Sequence, residues 1–112
     1  DRPVVALVGD GGFLFAATEL ATAVQYGINT ITVVFDDGAY GNSNRDQRER
    51  FGGREIGTVL RNPDWVRFAE SFGAGATHAK DLDQLGDAIR DALTATGPVV
   101  ISYQMDRLPS PF

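Results

Sequence analysis

The chain has 112 residues, 43% hydrophobic and 22% charged, which is the composition of one globular domain and too short for two ordinary ones. A net charge of -5 argues against a nucleic-acid partner, because neutralising phosphate requires a basic surface, and no run approaches the roughly 18 apolar residues of a membrane span. The absence of cysteine excludes disulfides and thiolate metal sites, leaving oxygen ligands or the single His78 for any metal.

The first residues lack the basic-then-apolar layout of a signal peptide, so the expected location is cytoplasmic. Asp1-Arg2-Pro3 stands directly before an apolar run with no initiator Met; the expectation is a piece of a longer polypeptide. Val4 to Val8 is β-branched and bounded by Pro3 and Gly9, which predicts a strand buried on both faces. From Phe13 the period changes: Phe13, Ala17, Leu20, Ala21 and Val24 recur at helical spacing, with Gly27 as the expected C-terminal cap. Thr30 to Phe35 predicts a second strand, running into the acidic turn Asp36-Asp37-Gly38.

Tyr40 to Arg61 is polar and Gly-punctuated, with at most a weak helix over Asn44 to Arg50. Its Arg45, Arg48, Arg50 and Arg54 alternate with Asp46, Glu49 and Glu55, the pattern of a solvated face. A mobile loop over 42–54 in which an Arg meets a substrate carboxylate is a second reading of the same stretch. Asn62-Pro63-Asp64-Trp65 then predicts a helix start, with Asn62 as cap and Pro63 in the first position. Trp65, Phe68, Ala69 and Phe72 line one face as far as Gly73. Ala76 to Ala79 reads as a short strand, Asp81 with Gln84 as a capping box before a helix carrying Leu82, Leu85, Ile89 and Ala92, and Val99 to Tyr103 as the last strand. Residues 105–112 read as a tail. Apolar strands alternating with amphipathic helices predict an α/β domain, a three-layer α/β/α arrangement around a mostly parallel sheet.

In such sheets ligands sit outside the C-terminal strand ends. Gly9-Asp10-Gly11-Gly12 and Asp36-Asp37-Gly38 both fall there, and if the first two strands are neighbours the three carboxylates converge. Two unit charges ~4 Å apart repel by about 4 kcal/mol at an effective dielectric of 20, a conflict that a divalent cation reverses. Oxygen ligands without cysteine favour a hard ion, Mg²⁺ or Ca²⁺. The Gly-rich turn opening a helix offers unpaired N–H groups to an anion, so the stretch reads as a seat for a metal and a diphosphate. A dinucleotide site is the other reading, since Gly9-x-Gly11 follows a strand and Asp36 ends the next one, about where a ribose-binding acid belongs. Its third glycine should stand at position 14, which is Leu14.

The motif pair Gly9-Asp10-Gly11, then 24 residues, then Asp36-Asp37 resembles the signature of thiamine-diphosphate-dependent enzymes, Gly-Asp-Gly followed some two dozen residues later by Asn-Asn. The stretches "GDGGF...TELATAVQYGINTITVVFDDGAYG" and "NPDWVRFAESFGA...GPVVISYQMD" resemble the C-terminal, diphosphate-binding domain of the acetolactate-synthase and pyruvate-decarboxylase group, over nearly the whole chain. The resemblance implies thiamine diphosphate and Mg²⁺ as cofactors. It assigns Mg²⁺ ligation to the side chains of Asp10 and Asp37 and the carbonyl of Ala39, diphosphate contact to the backbone of Gly11 and Gly12, and positions close to it to Tyr40 and Gly41, with Gly9 also counted among the cofactor-binding residues. The departure is Asp-Asp for Asn-Asn: a carboxylate offers only acceptors and one more negative charge.

The family chemistry so implied is decarboxylation of a 2-oxo acid, with the cofactor ring as electron sink, and protonation of the product or its ligation to a second carbonyl compound. The Glu that activates the cofactor comes from another domain in that family, and Glu19, Glu49, Glu55 and Glu70 do not occupy its place, so no catalytic residue is expected in this chain. An N-terminal pyrimidine-binding domain of the same or a neighbouring subunit is the implied partner, in a homodimer or homotetramer. Family domains have six parallel strands where this sequence shows four, which places the first two before Asp1. No catalytic role falls to His78, and neither Ser43 nor Ser110 has a base partner in motif context.

Overall fold

The computed structural model describes residues 2–107 and 109, and its centre is a four-stranded sheet in which every pairing is parallel. The strands are β1 (Val4–Gly9), β2 (Thr30–Asp36), β3 (Gly75–Ala79) and β4 (Val99–Gln104), in the order β1-β2-β4-β3. Each predicted run recurs, one residue longer at one end. The central strands hold the largest fully buried apolar side chains, Val33, Val34, Val100 and Ile101, because a strand covered on both faces selects branched apolar residues throughout.

Side chains alternate along β2. Ile31, Val33 and Phe35 pack with Leu85 and Ala92 of α5 (Leu82–Ala92) on one face. Val34 packs on the other with Phe13, Ala17, Leu20, Trp65 and Ala69, which come from the segment after β1 and from α4 (Trp65–Ser71). Helices therefore cover both faces of the sheet, giving the expected three layers. β1 is a strand as expected but is not buried on both faces: it lies at the edge of the sheet, with no partner on its outer side among the described residues, and Val4 and Leu7 are 58% and 68% exposed. An open apolar edge of this kind is a template for further strand pairing.

The helices depart from the sequence reading in three places. The segment predicted as one helix from Phe13 is α1 (Asp10–Ala16), a 3-10 turn at Ala17–Glu19 and α2 (Leu20–Gln25). It starts at Asp10 because Gly9 is the extended N-cap; Gly11 and Gly12 have low helix propensity and hid the first turn. The polar stretch holds a ten-residue helix, α3 (Gly41–Arg50), where only a weak helix or a loop was expected. Asn44 and Gln47 anchor it: the Asn44 amide donates to Glu55 Oε2 and Thr58 Oγ1 at 2.7 and 2.9 Å, and Gln47 bonds the backbone N–H and C=O of Ile56.

The third departure concerns α4, whose N-cap is Asp64 and not Asn62: Asp64 Oδ1 accepts the N–H groups of Val66 and Arg67 at 3.1 Å each. Asn62 lies two residues before that cap and is engaged elsewhere. At α5 Asp81 caps as expected, accepting the Gln84 N–H at 2.8 Å, while the Gln84 side chain reaches back to the N–H of Lys80. Of the predicted tail, residues 105–107 and 109 lie in no helix or strand; residues 108 and 110–112, Ser110 among them, fall outside the described residues.

Candidate functional site

The parallel register sets Gly9 opposite Phe35, so the loops leaving β1 and β2 stand side by side at one rim of the sheet. All eight residues expected at the site line one cleft of about 410 Å³ there: Gly9, Asp10, Gly11 and Gly12 from the first loop, and Asp37, Ala39, Tyr40 and Gly41 from the second. Phe35, Asn42, Ser43 and Met105 complete the lining. Two of the glycines are required by close approach. A Cβ on Gly11 would stand 2.6 Å from the Tyr40 ring, and one on Gly41 would stand 2.7 Å from Asp37 Oδ2.

The second loop is held by a short antiparallel bridge between Ala39 and Val59. Its hydrogen bonds run between the flanking residues, Tyr40 N–H to Thr58 O at 2.9 Å and Leu60 N–H to Gly38 O at 2.8 Å. In such a pair the polar groups of the opposed residues point away from the partner strand. The Ala39 N–H turns back to Asp37 Oδ1 at 3.1 Å, an Asx turn that fixes this carboxylate, and the Ala39 carbonyl faces outward. Asp10, buried to 2% exposure, accepts the N–H of Gly11 on Oδ1 at 2.8 Å and the Asn62 amide on Oδ2 at 2.5 Å. The Gly12 N–H sits in the first turn of α1, where no intrahelical carbonyl is available to it.

Asp36 does not join the other two acids in the cleft, contrary to the expected convergence of three carboxylates. The alternation along β2 turns it to the face of Val34, toward α4. There Oδ1 accepts the Gly38 N–H at 3.0 Å and the Asn62 amide at 2.8 Å, and Oδ2 accepts the Trp65 indole N–H at 2.7 Å. A carboxylate turned into the core on these donors does not line the cleft, which removes the support for a dinucleotide site. Correspondingly, no group of three or more His, Cys, Asp or Glu side chains assembles among the described residues. A cation at this rim would rest on two carboxylates and a carbonyl, a hard oxygen donor set that suits Mg²⁺.

Burial pushes the Asp10 carboxyl above the ordinary carboxylate range; the hydrogen bonds from Asn62 and from the Gly11 N–H oppose that shift, and the charges of Asp36 and Asp37 add to it. Asp10 and Asp36 accept from the same amide nitrogen, which places their bonded oxygens within about 5 Å of each other. Two charges at ~5 Å repel by about 3 kcal/mol at an effective dielectric of 20, so an intervening donor and a cation both relieve the site.

Asn62 and Trp65 were legible only as helix-start and core residues, yet both terminate on Asp36. The available signal was the position of Asp36 itself, two residues beyond Val34 on a core-facing stripe, where a buried acid requires donors. Trp65→Phe keeps the ring packing and leaves Asp36 Oδ2 without its partner. The expected cost is about 1–3 kcal/mol of stability, read as a lowered urea midpoint; an unchanged midpoint would show that the indole bond is dispensable.

The arginines of α3 remain mostly on a solvated face: Arg50 pairs with Asp46, both largely exposed, and Arg45 donates to Asn42 Oδ1 at 2.6 Å. His78 Nδ1 lies 3.1 Å from Ser102 Oγ on β4, away from the cleft lining. Among the described residues no helix is long and apolar enough to cross a membrane.

Comparison with known proteins gives the same picture. The chain is 39% identical to acetolactate synthase of Bacillus subtilis (strain 168) over 103 residues, covering 92% of this chain and 18% of that protein. In structure it is similar to benzoylformate decarboxylase from Polynucleobacter necessarius, with a TM-score of 0.90 and 31% identity over 99% of this chain and 21% of the other. It is likewise similar to the thiamine diphosphate-dependent 4-hydroxybenzoylformate decarboxylase of Rhodococcus jostii RHA1, with a TM-score of 0.90, 28% identity and coverage of 98% and 21%. The chain thus spans about a fifth of the length of each of these three proteins. Residues 1–103 match the family model for the C-terminal TPP binding domain of thiamine pyrophosphate enzymes, and the chain belongs to that family.

Proposed function

We propose that this domain holds the diphosphate of thiamine diphosphate through Mg²⁺, as one part of a larger enzyme that decarboxylates a 2-oxo acid, ligates the product to a second carbonyl compound, or does both. The observation that carries the reading is that Asp10, Asp37 and Ala39 line one cleft together with Gly9, Gly11 and Gly12. The side chains of Asp10 and Asp37 and the Ala39 carbonyl would ligate the ion, and the backbone of the first loop, the Gly12 N–H above all, would meet the diphosphate. When bound, the cofactor supplies the electron sink for loss of CO₂ from the 2-oxo acid.

The residues of this chain fix where that cofactor ends. The Tyr40 ring of the second loop packs directly on Gly11 of the first, and within the second loop Gly41 leaves room for Asp37 Oδ2. The activating Glu is assigned to an N-terminal pyrimidine-binding domain of the same or a neighbouring subunit, in a homodimer or homotetramer, and the domain alone is expected to be inactive.

Calorimetry on the full-length protein tests the reading. Thiamine diphosphate should bind with Mg²⁺ and not in excess EDTA, and NAD should not bind. Binding of NAD without metal would replace the proposal with a dinucleotide site, and binding of neither would leave a domain that has the fold without the function. Asp37→Asn should retain or improve cofactor affinity, since the amide still offers the ion an oxygen while removing a charge that repels the diphosphate. Complete loss of Mg²⁺-dependent binding in that variant would count against the assignment of Asp37.

A further inference from the structure

Asn62 is 52 residues from Asp10 and 26 from Asp36 in sequence, yet its one amide nitrogen donates to both carboxylates, at 2.5 and 2.8 Å. Both protons of that nitrogen are committed. The other end of the amide is not: Asn62 Oδ1 is buried and has no hydrogen-bond partner among the described residues. Rotating the amide by half a turn would set Oδ1 against two carboxylates, so the acids dictate the orientation and the orphaned oxygen is its consequence. Buried polar groups are otherwise almost always paired, so an orphaned carbonyl calls for a specific cause, and here that cause is the pair of acids.

The backbone explains how Asn62 is held to this task. Pro63 follows it and restricts it to extended conformations; two residues on, Asp64 caps α4, and Trp65 is fixed in the core by its bond to Asp36 and its edge contact with the Phe13 ring. The amide is therefore presented by a segment anchored on both sides of Asp36. On the other side of Asp10 the only further protein partner of the carboxylate among the described residues is its neighbour's N–H, on Oδ1. Without Asn62 nothing would fix Oδ2.

We infer that Asn62 is a positioning residue for the cation site: it bridges Asp10 to Asp36 and sets the Asp10 carboxylate in its ligating orientation. This rests on the proposed Mg²⁺-dependent binding of the diphosphate and adds to it a residue that makes no contact with the cofactor or the ion. Partners of this kind, one step removed from a metal, change metal affinity by roughly 10- to 100-fold when lost.

The test is the Mg²⁺ concentration that half-saturates thiamine diphosphate binding, measured on the full-length protein and its variants. Asn62→Ala is expected to raise it roughly 10- to 100-fold, and Asn62→Asp, which sets a third carboxylate against the other two, at least as much. Asp81→Ala is the control for a merely structural effect: it removes the N-cap of α5, whose carboxylate accepts the Gln84 N–H away from the cleft lining, should lower the melting temperature, and should leave the Mg²⁺ midpoint within about twofold because it shares no partner with Asn62. An unchanged midpoint in folded Asn62→Ala, or an equal rise in Asp81→Ala, overturns the inference. Should the alanine variant not fold, Asn62→Ser, which keeps one donor, gives the same comparison with a smaller expected rise. Failure of the underlying reading is seen separately, as cofactor binding by the unmodified protein that is absent or indifferent to Mg²⁺.

Discussion

Asp10→Asn in the full-length protein is expected to abolish Mg²⁺-dependent binding of thiamine diphosphate, weakening it by roughly 100-fold or more, because even outer partners of a metal ligand are worth 10- to 100-fold. The substitution removes one of the two carboxylates in the cleft. It also turns the acceptor at position 10 into a group with its own donors, which face the Asn62 amide already committed as donor. Calorimetric titration at fixed, saturating Mg²⁺ reads the effect, and affinity within a few-fold of the unmodified protein would remove Asp10 from the site.

The same substitution has a metal-free signature. The folded protein holds the Asp10 proton more tightly than the unfolded chain does, chiefly because the carboxyl is buried. Ionising Asp10 therefore opposes folding, and its contribution to stability is lost as pH rises from the ordinary Asp range through the raised folded value. Asn cannot ionise. The stability difference between the unmodified protein and Asp10→Asn, both without metal, should thus shift steadily in favour of the variant as pH rises across that window, and denaturant titrations at several pH values show it. A difference independent of pH would mean that Asp10 does not titrate abnormally.

Gly41→Ala is expected to separate folding from binding. Gly41 is the first residue of α3, and alanine is the better helix former by about 1 kcal/mol in a helix interior, so the helix itself should tolerate the change. The added Cβ, however, stands 2.7 Å from Asp37 Oδ2, closer than any real contact, and the carboxylate must swing away from its place over the loop. Asp37 is held by the Ala39 N–H on Oδ1, so that movement also disturbs the turn presenting the Ala39 carbonyl. The outcome predicted is a melting temperature close to that of the unmodified protein with the Mg²⁺ requirement raised by roughly tenfold or more. Gly12 makes the comparison informative: a Cβ there meets only Val8 Cγ2, at 3.3 Å, a contact that a small shift relieves, so Gly12→Ala should be the milder change unless the diphosphate needs that space.

Much of this arrangement was legible in the residues. Thr30 to Phe35 and Val99 to Tyr103 announce buried strands because a strand between two helical layers is apolar at every position, Val4 to Val8 announces a strand but not its exposure at the sheet edge, and Asp81 with Gln84 announces α5 because a cap acts within four residues. The cleft could be assembled from its two loops once β1 and β2 were taken as neighbours. What escaped was of two kinds. The helix α3 carries no apolar stripe, since its buried face is Asn44 bonded to Glu55 and Thr58; a periodicity of hydrophobic residues cannot report a face built from amides. The Asn62 bridge escaped because it joins three segments far apart in sequence, and because Asn-Pro-Asp reads locally as a capping signal, a role that Asp64 takes instead.

Asp36 teaches the more general point. As text, Asp36-Asp37 is a pair; on a strand, neighbours face opposite sides. Asp37 leaves the strand end and enters the cleft, while Asp36 turns inward to Trp65 and Asn62. The departure from Asn-Asn therefore has two separate meanings: at position 37 it bears on the ion and the diphosphate, and at position 36 it creates a buried acid whose charge is met by amide and indole donors.

A crystal structure of the full-length protein with thiamine diphosphate and Mg²⁺ tests the central claim most directly. One ion should lie within about 2.1 Å, the usual Mg²⁺ to oxygen distance, of a carboxylate oxygen of Asp10, a carboxylate oxygen of Asp37 and the Ala39 carbonyl, with the diphosphate completing its shell. A cofactor seated at this rim without a cation, or an ion held by neither Asp10 nor Asp37, would contradict it.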